Sequence, residues 1–128
     1  MENLVIQGSK YTPEIELDAG RRVMEVKGYS YPENAAAFYA PIMEWFKAYL
    51  QQSGQAQIDV RMELIYFNSS SSKILMDLFD LLDDHAAAGH PVSVSWIYDG
   101  DNESAYECGQ EFEEDIEHLK FQLIKKTG

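Results

Sequence analysis

The chain has 128 residues, of which 45% are hydrophobic, and its 22 acidic against 10 basic side chains set a formal net charge of -12. This length fits one domain covering residues 1–128, and the apolar content is too high for an intrinsically disordered chain. The strong negative charge repels the phosphates of nucleic acids and of anionic lipids, so we expect neither a nucleic-acid-binding nor a membrane-associated protein.

Three extended segments are predicted before the first helix, at residues 4–6, 12–17 and 22–27. In the third segment Met24 and Val26 alternate with polar residues, as in a strand with one buried face. Gly20, after Asp18 and Ala19, and Gly28 are turn signals at the ends of these segments. The pattern predicts that the chain begins with antiparallel strands.

A first helix is predicted after Ser30-Tyr31-Pro32-Glu33, which resembles a capping box. Its apolar residues recur at helical spacing and predict one buried face. They are Phe38, Ile42, Trp45 and Tyr49. Pro41 lies within this face and lacks a backbone N–H, so we expect a kink or two abutting helices there. Ser53-Gly54 ends the helix.

Strands and helices alternate in the rest of the chain. The predicted strands lie at 58–67, 91–98 and 121–125. The second helix is predicted at about 70–88, and its buried face consists of Ile74, Leu78, Leu81 and Leu82. The third helix is predicted to be capped by Asp101 or Asn102, and its buried face consists of Ala105, Cys108, Phe112 and Ile116. This order predicts an α/β fold, a STAS-like mixed sheet of about five strands packed by three helices.

No catalytic or metal-binding constellation is recognisable in the sequence. His85, His90 and His118 lack zinc-ligand spacing, and Asp99, Asp101 and Glu103 lack the glycine that a calcium loop requires. We therefore expect a protein that is not an enzyme and that needs no metal or cofactor. The single cysteine, Cys108, is expected to be a buried, inert thiol. One thiol and an N-terminus without a signal peptide favour the cytoplasm.

The serine run Ser69–Ser72 lies where an apolar strand meets a helix. One interpretation is helix capping, because a serine side chain at the N-cap satisfies a free backbone N–H. A second, compatible interpretation is a phosphorylation site, because free N–H groups and the helix dipole favour an anion there. The residues alone leave both interpretations open, as they do the choice among the four serines.

Several segments together resemble the SiaC family of bacterial regulatory phosphoproteins, which are similar to STAS domains and anti-sigma-factor antagonists. The matching segments are Thr12-Pro13 and residues 30–34 (SYPEN), 64–73 (LIYFNSSSSK), 96–99 (WIYD) and 111–115 (EFEED). In that family the hydroxyl residue directly after the asparagine is phosphorylated. By this resemblance the phosphoacceptor is Ser69, a position at which the family often carries threonine.

The resemblance implies a partner-switching role in cyclic-di-GMP and biofilm signalling. A Ser/Thr kinase resembling anti-sigma factors would phosphorylate Ser69, a PP2C-like phosphatase would reverse this, and the unphosphorylated form would bind a diguanylate cyclase. Asn68 would shape the turn, and Ser70 and Ser71 would cap the helix and line the docking surface. Lys73, Asp77 and Asp80 would contact partners. Phosphate near Asp77 and Asp80 would add like-charge repulsion and favour release.

Two rival interpretations remain open for the sequence. A STAS-like domain could bind a small molecule such as a nucleotide or lipid, which would require a pocket with convergent polar groups. A plain structural subunit is the third possibility, and it predicts that no serine is phosphorylated in cells.

Overall fold

The computed structural model describes residues 2–126, and within them it contains six strands and three helices in the predicted order. The strands are β1 (Leu4–Ile6), β2 (Glu14–Asp18), β3 (Val23–Ser30), β4 (Ile58–Phe67), β5 (Val92–Asp99) and β6 (Lys120–Lys126). The helices are α1 (Ala35–Gln52), α2 (Ser69–Ala87) and α3 (Glu103–Glu114). The predicted α/β class and mixed sheet are confirmed, with six strands where about five were expected.

The strands form one sheet in the order β1-β2-β3-β4-β5-β6. The pairs β1–β2 and β2–β3 are antiparallel, whereas β3, β4, β5 and β6 are parallel neighbours joined through the three helices. Successive right-handed crossovers in one direction place every helix on the same face of the sheet. Burial alternates accordingly: Val60 and Met62 are buried, whereas Asp59 and Arg61 are exposed on the opposite, open face.

The hydrophobic core fills the space between the sheet and the helices. Its largest fully buried side chains are Trp96, Phe46, Ile15, Leu17, Ile42, Ile58, Met62, Leu64, Leu75 and Leu82. Burying one such side chain stabilises a fold by about 1.5–3 kcal/mol, so this layer holds the helices in place. Because β3 and β4 run parallel, their carboxyl ends share one edge of the sheet, and α1 and α2 begin there.

Helix α1 differs from the prediction at its start and at its proline. Its N-cap is Asn34, whose side-chain oxygen accepts from the Ala37 amide at 3.1 Å, and not the predicted box at Ser30. The helix also continues through Pro41, so two separate helices were a wrong prediction. Pro41 is exposed, and the packing of the opposite side of α1, including Ile42 and Phe46, stabilises the helix across the missing bond.

The inner faces of α2 and α3 are rotated slightly from the predicted stripes. In α2 the buried apolar residues are Leu75, Leu78, Phe79 and Leu82, with Ile74 and Leu81 only partly covered. In α3 Ala105 and Phe112 are buried as predicted, but Ile116 lies beyond the end of the helix. Cys108 is half-buried, and burial, followed by the charges of Glu111 and Glu107, raises the pKa of its thiol. The thiol therefore stays protonated at neutral pH.

Candidate functional site

The start of α2 is fixed by Asn68 and not by a serine. Asn68 is the N-cap, and its side-chain oxygen accepts a hydrogen bond from the Ser71 amide at 2.9 Å. Its own amide donates to the Ser30 carbonyl at 3.0 Å, and its carbonyl accepts from the Ser72 amide at 2.9 Å. The prediction that Ser70 and Ser71 cap the helix is wrong, because α2 already begins at Ser69.

The four serines point in different directions because they occupy the first turn of a helix. Successive side chains are rotated by about 100°. Ser69 and Ser70 are exposed, Ser72 is half-buried, and Ser71 is 0% exposed. The expected contact between Ser71 and a partner is therefore wrong, since its hydroxyl faces the interior. Ser69, Ser70, Lys73, Asp77 and Asp80 are all exposed on the outer side of α2.

A buried hydroxyl network joins the end of β3 to both α1 and α2. The Ser30 hydroxyl lies 2.5 Å from the Tyr39 hydroxyl and donates to the Ser71 hydroxyl at 2.9 Å. Burial raises the pKa of Tyr39, outweighing the hydrogen bond with Ser30, so the phenol stays protonated and can donate to Ser30. Sequence reasoning missed this network because it assigned Ser30 to a helix cap.

The amino ends of α1 and α2 border a shared open groove. It is lined by Glu33, Asn34, Ala35, Ala36, Ser70, Lys73, Ile74 and Asp77. Two helix amino ends and the Lys73 ammonium group place positive charge at this groove. In α2 the Asn68 cap occupies the Ser71 amide, which leaves the amides of Ser69 and Ser70 without an intrahelical acceptor. Because the Glu33 and Asp77 carboxylates also line the groove, the place that can hold an anionic group is the amino end of α2, beside Ser69 and Ser70.

Asp77 and Asp80 are too distant from Ser69 to repel a phosphate there strongly. At a rise of about 1.5 Å per residue, Asp77 is about 12 Å and Asp80 about 16 Å further along the helix axis. Charges at these separations are largely screened at physiological salt, where the Debye length is about 8 Å. The predicted local repulsion is therefore weak, whereas Lys73 lies only about 6 Å along the axis and attracts an anion.

The two aspartates also border different clefts. Asp77 lies in the groove next to α1, whereas Asp80 borders a cleft between α2 and the end of α3, together with Met76 and Asp115. Burial raises the pKa of Asp80, and the carboxylates of Asp77, Asp84, Asp115 and Asp83 raise it further. The outer side of α2 thus carries an acidic stripe that includes Asp77, Asp80 and Asp84.

The acidic segment at residues 99–103, considered above as a calcium loop, has a structural role in the described part of the chain. Asn102 caps α3 by accepting from the Ala105 amide at 3.1 Å, and Asp99 accepts from the Asp101 amide at 2.9 Å, so this segment is the predicted turn. Between residues 2 and 126 there is no group of three or more His, Cys, Asp or Glu side chains placed to hold a metal ion. None of the helices described is long and apolar enough to cross a membrane.

Comparison with known proteins identifies the family that this chain resembles. Residues 6–126 match the family model described as SiaC family regulatory phosphoprotein. An uncharacterized protein of Pseudomonas aeruginosa strain UCBPP-PA14 is 39% identical over 117 residues, which are 90% of each protein.

Two solved structures from Pseudomonas aeruginosa share the fold. SiaC is 33% identical, with a TM-score of 0.89 over 98% of this chain and 100% of that one. A crystal structure of the diguanylate cyclase SiaD in complex with its activator SiaC contains a chain that is 35% identical, with a TM-score of 0.90 over 96% of this chain and 99% of that one.

Proposed function

The chain belongs to the SiaC family of regulatory phosphoproteins, and on that premise we propose that it binds and activates a diguanylate cyclase in its unphosphorylated form. Phosphorylation of Ser69 ends this binding and dephosphorylation restores it. The protein is thus a regulator of cyclic-di-GMP and biofilm signalling that performs no catalysis itself, and it acts in the cytoplasm, where ATP and GTP are available to its partners.

The cyclase assignment is supported by the complex of SiaD with its activator SiaC, to which this fold is similar along nearly its whole length. It is also consistent with the acidic stripe on α2, since charge complementarity speeds association with a basic partner surface.

The observation that carries the Ser69 assignment is its exposed hydroxyl directly after the Asn68 cap, at the amino end of α2. A kinase can reach this hydroxyl without unfolding the helix. Its oxygen would attack the γ-phosphorus of ATP, lose its proton to a base of the kinase, and release ADP. The phosphatase would transfer the phosphoryl group to water. Both enzymes, the anti-sigma-factor-like kinase and the PP2C-like phosphatase, are part of the proposal.

Release of the partner follows from the charge and size of the phosphate. A phosphoryl group adds about 1.5–2 negative charges. The amides of α2 and the Lys73 side chain hold it where Ser69 and Ser70 now face solvent. A partner that packs over Asn68, Ser70 and Lys73 in the free form would have to strip water from this charge and give up its own contact with Lys73, which is unfavourable. In the proposal Asp77 and Asp80 contact the partner further along α2.

The test compares Ser69→Ala with Ser70→Ala, its matched control, because both hydroxyls are exposed in the same helical turn. The host kinase and ATP are added to each purified protein, and intact mass is measured. We expect wild type and Ser70→Ala to gain one phosphoryl group and Ser69→Ala to gain none. Binding of each protein to the host's SiaD-like cyclase is then measured before and after phosphorylation.

Phosphorylated wild type and Ser69→Asp should bind the cyclase at least tenfold more weakly than unphosphorylated wild type. Ser69→Ala should bind as tightly as wild type in both conditions. Transfer to Ser70 in place of Ser69 would contradict the site. Equal binding by wild type, Ser69→Ala and Ser69→Asp would contradict the switch.

A further inference from the structure

Two histidines stack at the carboxyl end of α2. The rings of His85 and His90 are almost parallel, with an interplanar angle of 8° and their centroids 4.1 Å apart. Both side chains are half-buried. His85 lies in the last turn of α2, whereas His90 lies in the turn that leads into β5. The pair therefore joins the end of a helix to the start of a strand.

The stack depends on the way in which α2 ends. On a continuous helix, residues five positions apart point about 140° away from each other, so their rings would not meet. The helix ends at Ala87, and Gly89, with a φ of 102°, turns the chain back over the last turn. The Pro91 carbonyl accepts from the Ile58 amide at 3.0 Å, which ties the end of this turn to β4.

The hydrogen bonds of the two rings suit neutral imidazoles. Nε2 of His85 lies 3.5 Å from the Ser53 hydroxyl at the end of α1, and that hydroxyl donates its own hydrogen to the Leu50 carbonyl at 3.2 Å. Ser53 is left to accept, so in neutral His85 it is Nε2 that carries the proton. Nδ1 of His90 is buried and has no hydrogen-bond partner among the described residues. A proton added at this atom would be a buried donor without an acceptor, which is costly.

The charges around the pair act in opposite directions. Lys47 of α1 and Asp84 of α2 border the same groove as His85, and they carry opposite charges. The free carbonyl groups at the end of α2 favour a positive charge on His85. Burial, followed by the charge of His90, nevertheless lowers the pKa of His85 below its ordinary value of 6.5. Burial and the second ring thus outweigh the groups that favour a proton.

We propose that the stacked histidines are a pH-sensitive switch that keeps the carboxyl end of α2 closed at neutral pH and opens it in mild acid. When both rings are protonated, two positive charges 4.1 Å apart repel each other. The rings can separate by movement of residues 88–90 alone, because the buried stripe of α2, from Leu75 to Leu82, lies before them. The pair lies about 24 Å along the helix from Ser69, so the switch acts independently of phosphorylation.

The direction of the response follows from proton linkage. A histidine whose pKa is lower in the folded state is stable as the neutral form above the unfolded pKa, and it loses this stability as the pH falls through the folded pKa. Opening is therefore expected below about pH 6.5, the ordinary value for histidine. Because the turn carries the switch and the core does not, the opening is local and leaves the sheet folded.

Hydrogen exchange of the full-length protein, followed by mass spectrometry at pH 7.5 and pH 5.5, tests the switch. Measured rates are divided by the intrinsic rates at each pH, so that only opening is compared. Acid should lower the protection of the amides between residues 86 and 92 by at least about threefold in wild type. His90→Phe keeps a flat ring against His85 but takes no proton, so its protection should not fall. The matched control is His118→Gln, an exposed histidine, which should respond like wild type.

Titration of the imidazole resonances by NMR provides the second measurement. His85 should titrate at higher pH in His90→Gln than in wild type, because the variant removes the neighbouring charge. Equal midpoints would overturn the coupling of the two rings. Equal loss of protection in wild type and His90→Phe would overturn the switch, as would full protection of wild type at pH 5.5. If His90→Phe does not fold, His90→Gln replaces it in the exchange experiment, and its protection should not depend on pH.

Discussion

At the scale of single residues, asparagine recurs as the helix cap. Asn34, Asn68 and Asn102 each accept from the backbone amide three residues later, at 3.1, 2.9 and 3.1 Å. An N-cap of this type stabilises a helix by about 1 kcal/mol. At α2 the asparagine has a further consequence, because it frees the following serines for other roles: two face solvent, and one enters the buried network.

Ser71→Ala is expected to destabilise the protein by about 1–2 kcal/mol, because the buried Ser30 hydroxyl loses its acceptor. Ser70→Ala is the control in the same turn, and it should change the free energy of unfolding by less than about 0.5 kcal/mol because Ser70 is exposed. Urea unfolding followed by circular dichroism measures both changes. Equal stability of the two variants would show that the network contributes nothing.

At the scale of elements, α3 approaches the sheet closely through a glycine. A Cβ atom added to Gly109 would lie 2.6 Å from Trp96 Cδ1 and 2.6 Å from Leu123 Cδ2. The Trp96 indole N–H also donates to the Ala105 carbonyl at 2.9 Å, so the ring cannot move away without breaking this bond. Residue 109 must therefore be small for the helix to pack over β5 and β6.

Gly109→Ala should destabilise the protein by about 1–2 kcal/mol, since overpacking outweighs the gain of about 1 kcal/mol in helix propensity. Gly100→Ala is the matched control: its Cβ would meet only the flexible end of Lys125, which can move. Thermal unfolding monitored by tryptophan fluorescence compares the two. A Gly109→Ala protein at least as stable as wild type would contradict the close packing.

A second contact between elements joins α2 to the segment before β6. The Asp83 carboxylate accepts from the amides of Glu117, His118 and Leu119 at 3.1, 2.8 and 2.8 Å. Burial alone would raise the pKa of Asp83, but these three amides and the charge of His118 lower it below its usual value. The ionised form is thus favoured in the folded protein and anchors this segment.

Asp83→Asn should lower stability by about 1–2 kcal/mol at neutral pH, because the amides lose a charged acceptor. A carboxyl group whose pKa is lower in the folded state contributes stability above its unfolded pKa and loses it as the pH falls through the folded pKa. The difference between wild type and Asp83→Asn should therefore begin to shrink once the pH falls below the pKa of an unfolded Asp, about 3.9. Asp84→Asn is the control and should stay near wild type throughout. Urea unfolding between pH 7 and pH 3 measures this, and a constant difference would contradict the assignment.

At the scale of the whole molecule, the net charge of -12 opposes compaction. Burial raises the pKa of Asp80 most, and neighbouring carboxylates on α2 and at Asp115 raise it further, as expected for mutual repulsion. Added salt screens such repulsion between exposed charges. The few ion pairs between the described residues each have at least one exposed partner, such as Lys126 with Glu63 at 2.8 Å, and contribute little to stability.

Raising sodium chloride from about 0.02 to about 0.3 M should therefore increase the melting temperature by a few degrees, since the Debye length falls from roughly 20 to roughly 6 Å. Differential scanning calorimetry measures the change. Sucrose at matched osmolality is the control for solvent effects that do not screen charge. A melting temperature that falls with salt would mean that attractive pairs outweigh the repulsion.

The sequence predicted the order of elements because their patterns are local. The alternation from Ile58 to Leu64 and the helical spacing in α2 appear within a few residues. The predictions failed where two nearby residues were equally suited to one role, or where a contact joined residues far apart in the sequence. Ser30 and Asn34 both suit an N-cap, and only packing decides between them. The contact of Ser30 with Ser71 spans 41 residues, and the ring of Tyr31 packs against those of Tyr11 and Tyr66 from separate segments, which local patterns do not encode.

Helical register has a consequence for the proposed phosphorylation. A kinase would meet four chemically identical hydroxyls in succession, yet the fold turns one of them fully inward and covers another in part. The fold of the substrate thus determines which of these hydroxyls a kinase could reach. The rotation that displays Ser69 and Ser70 is set by the buried stripe that Ser71 shares with Leu75, Leu78 and Leu82, at about 100° per residue, and not by the composition of the run.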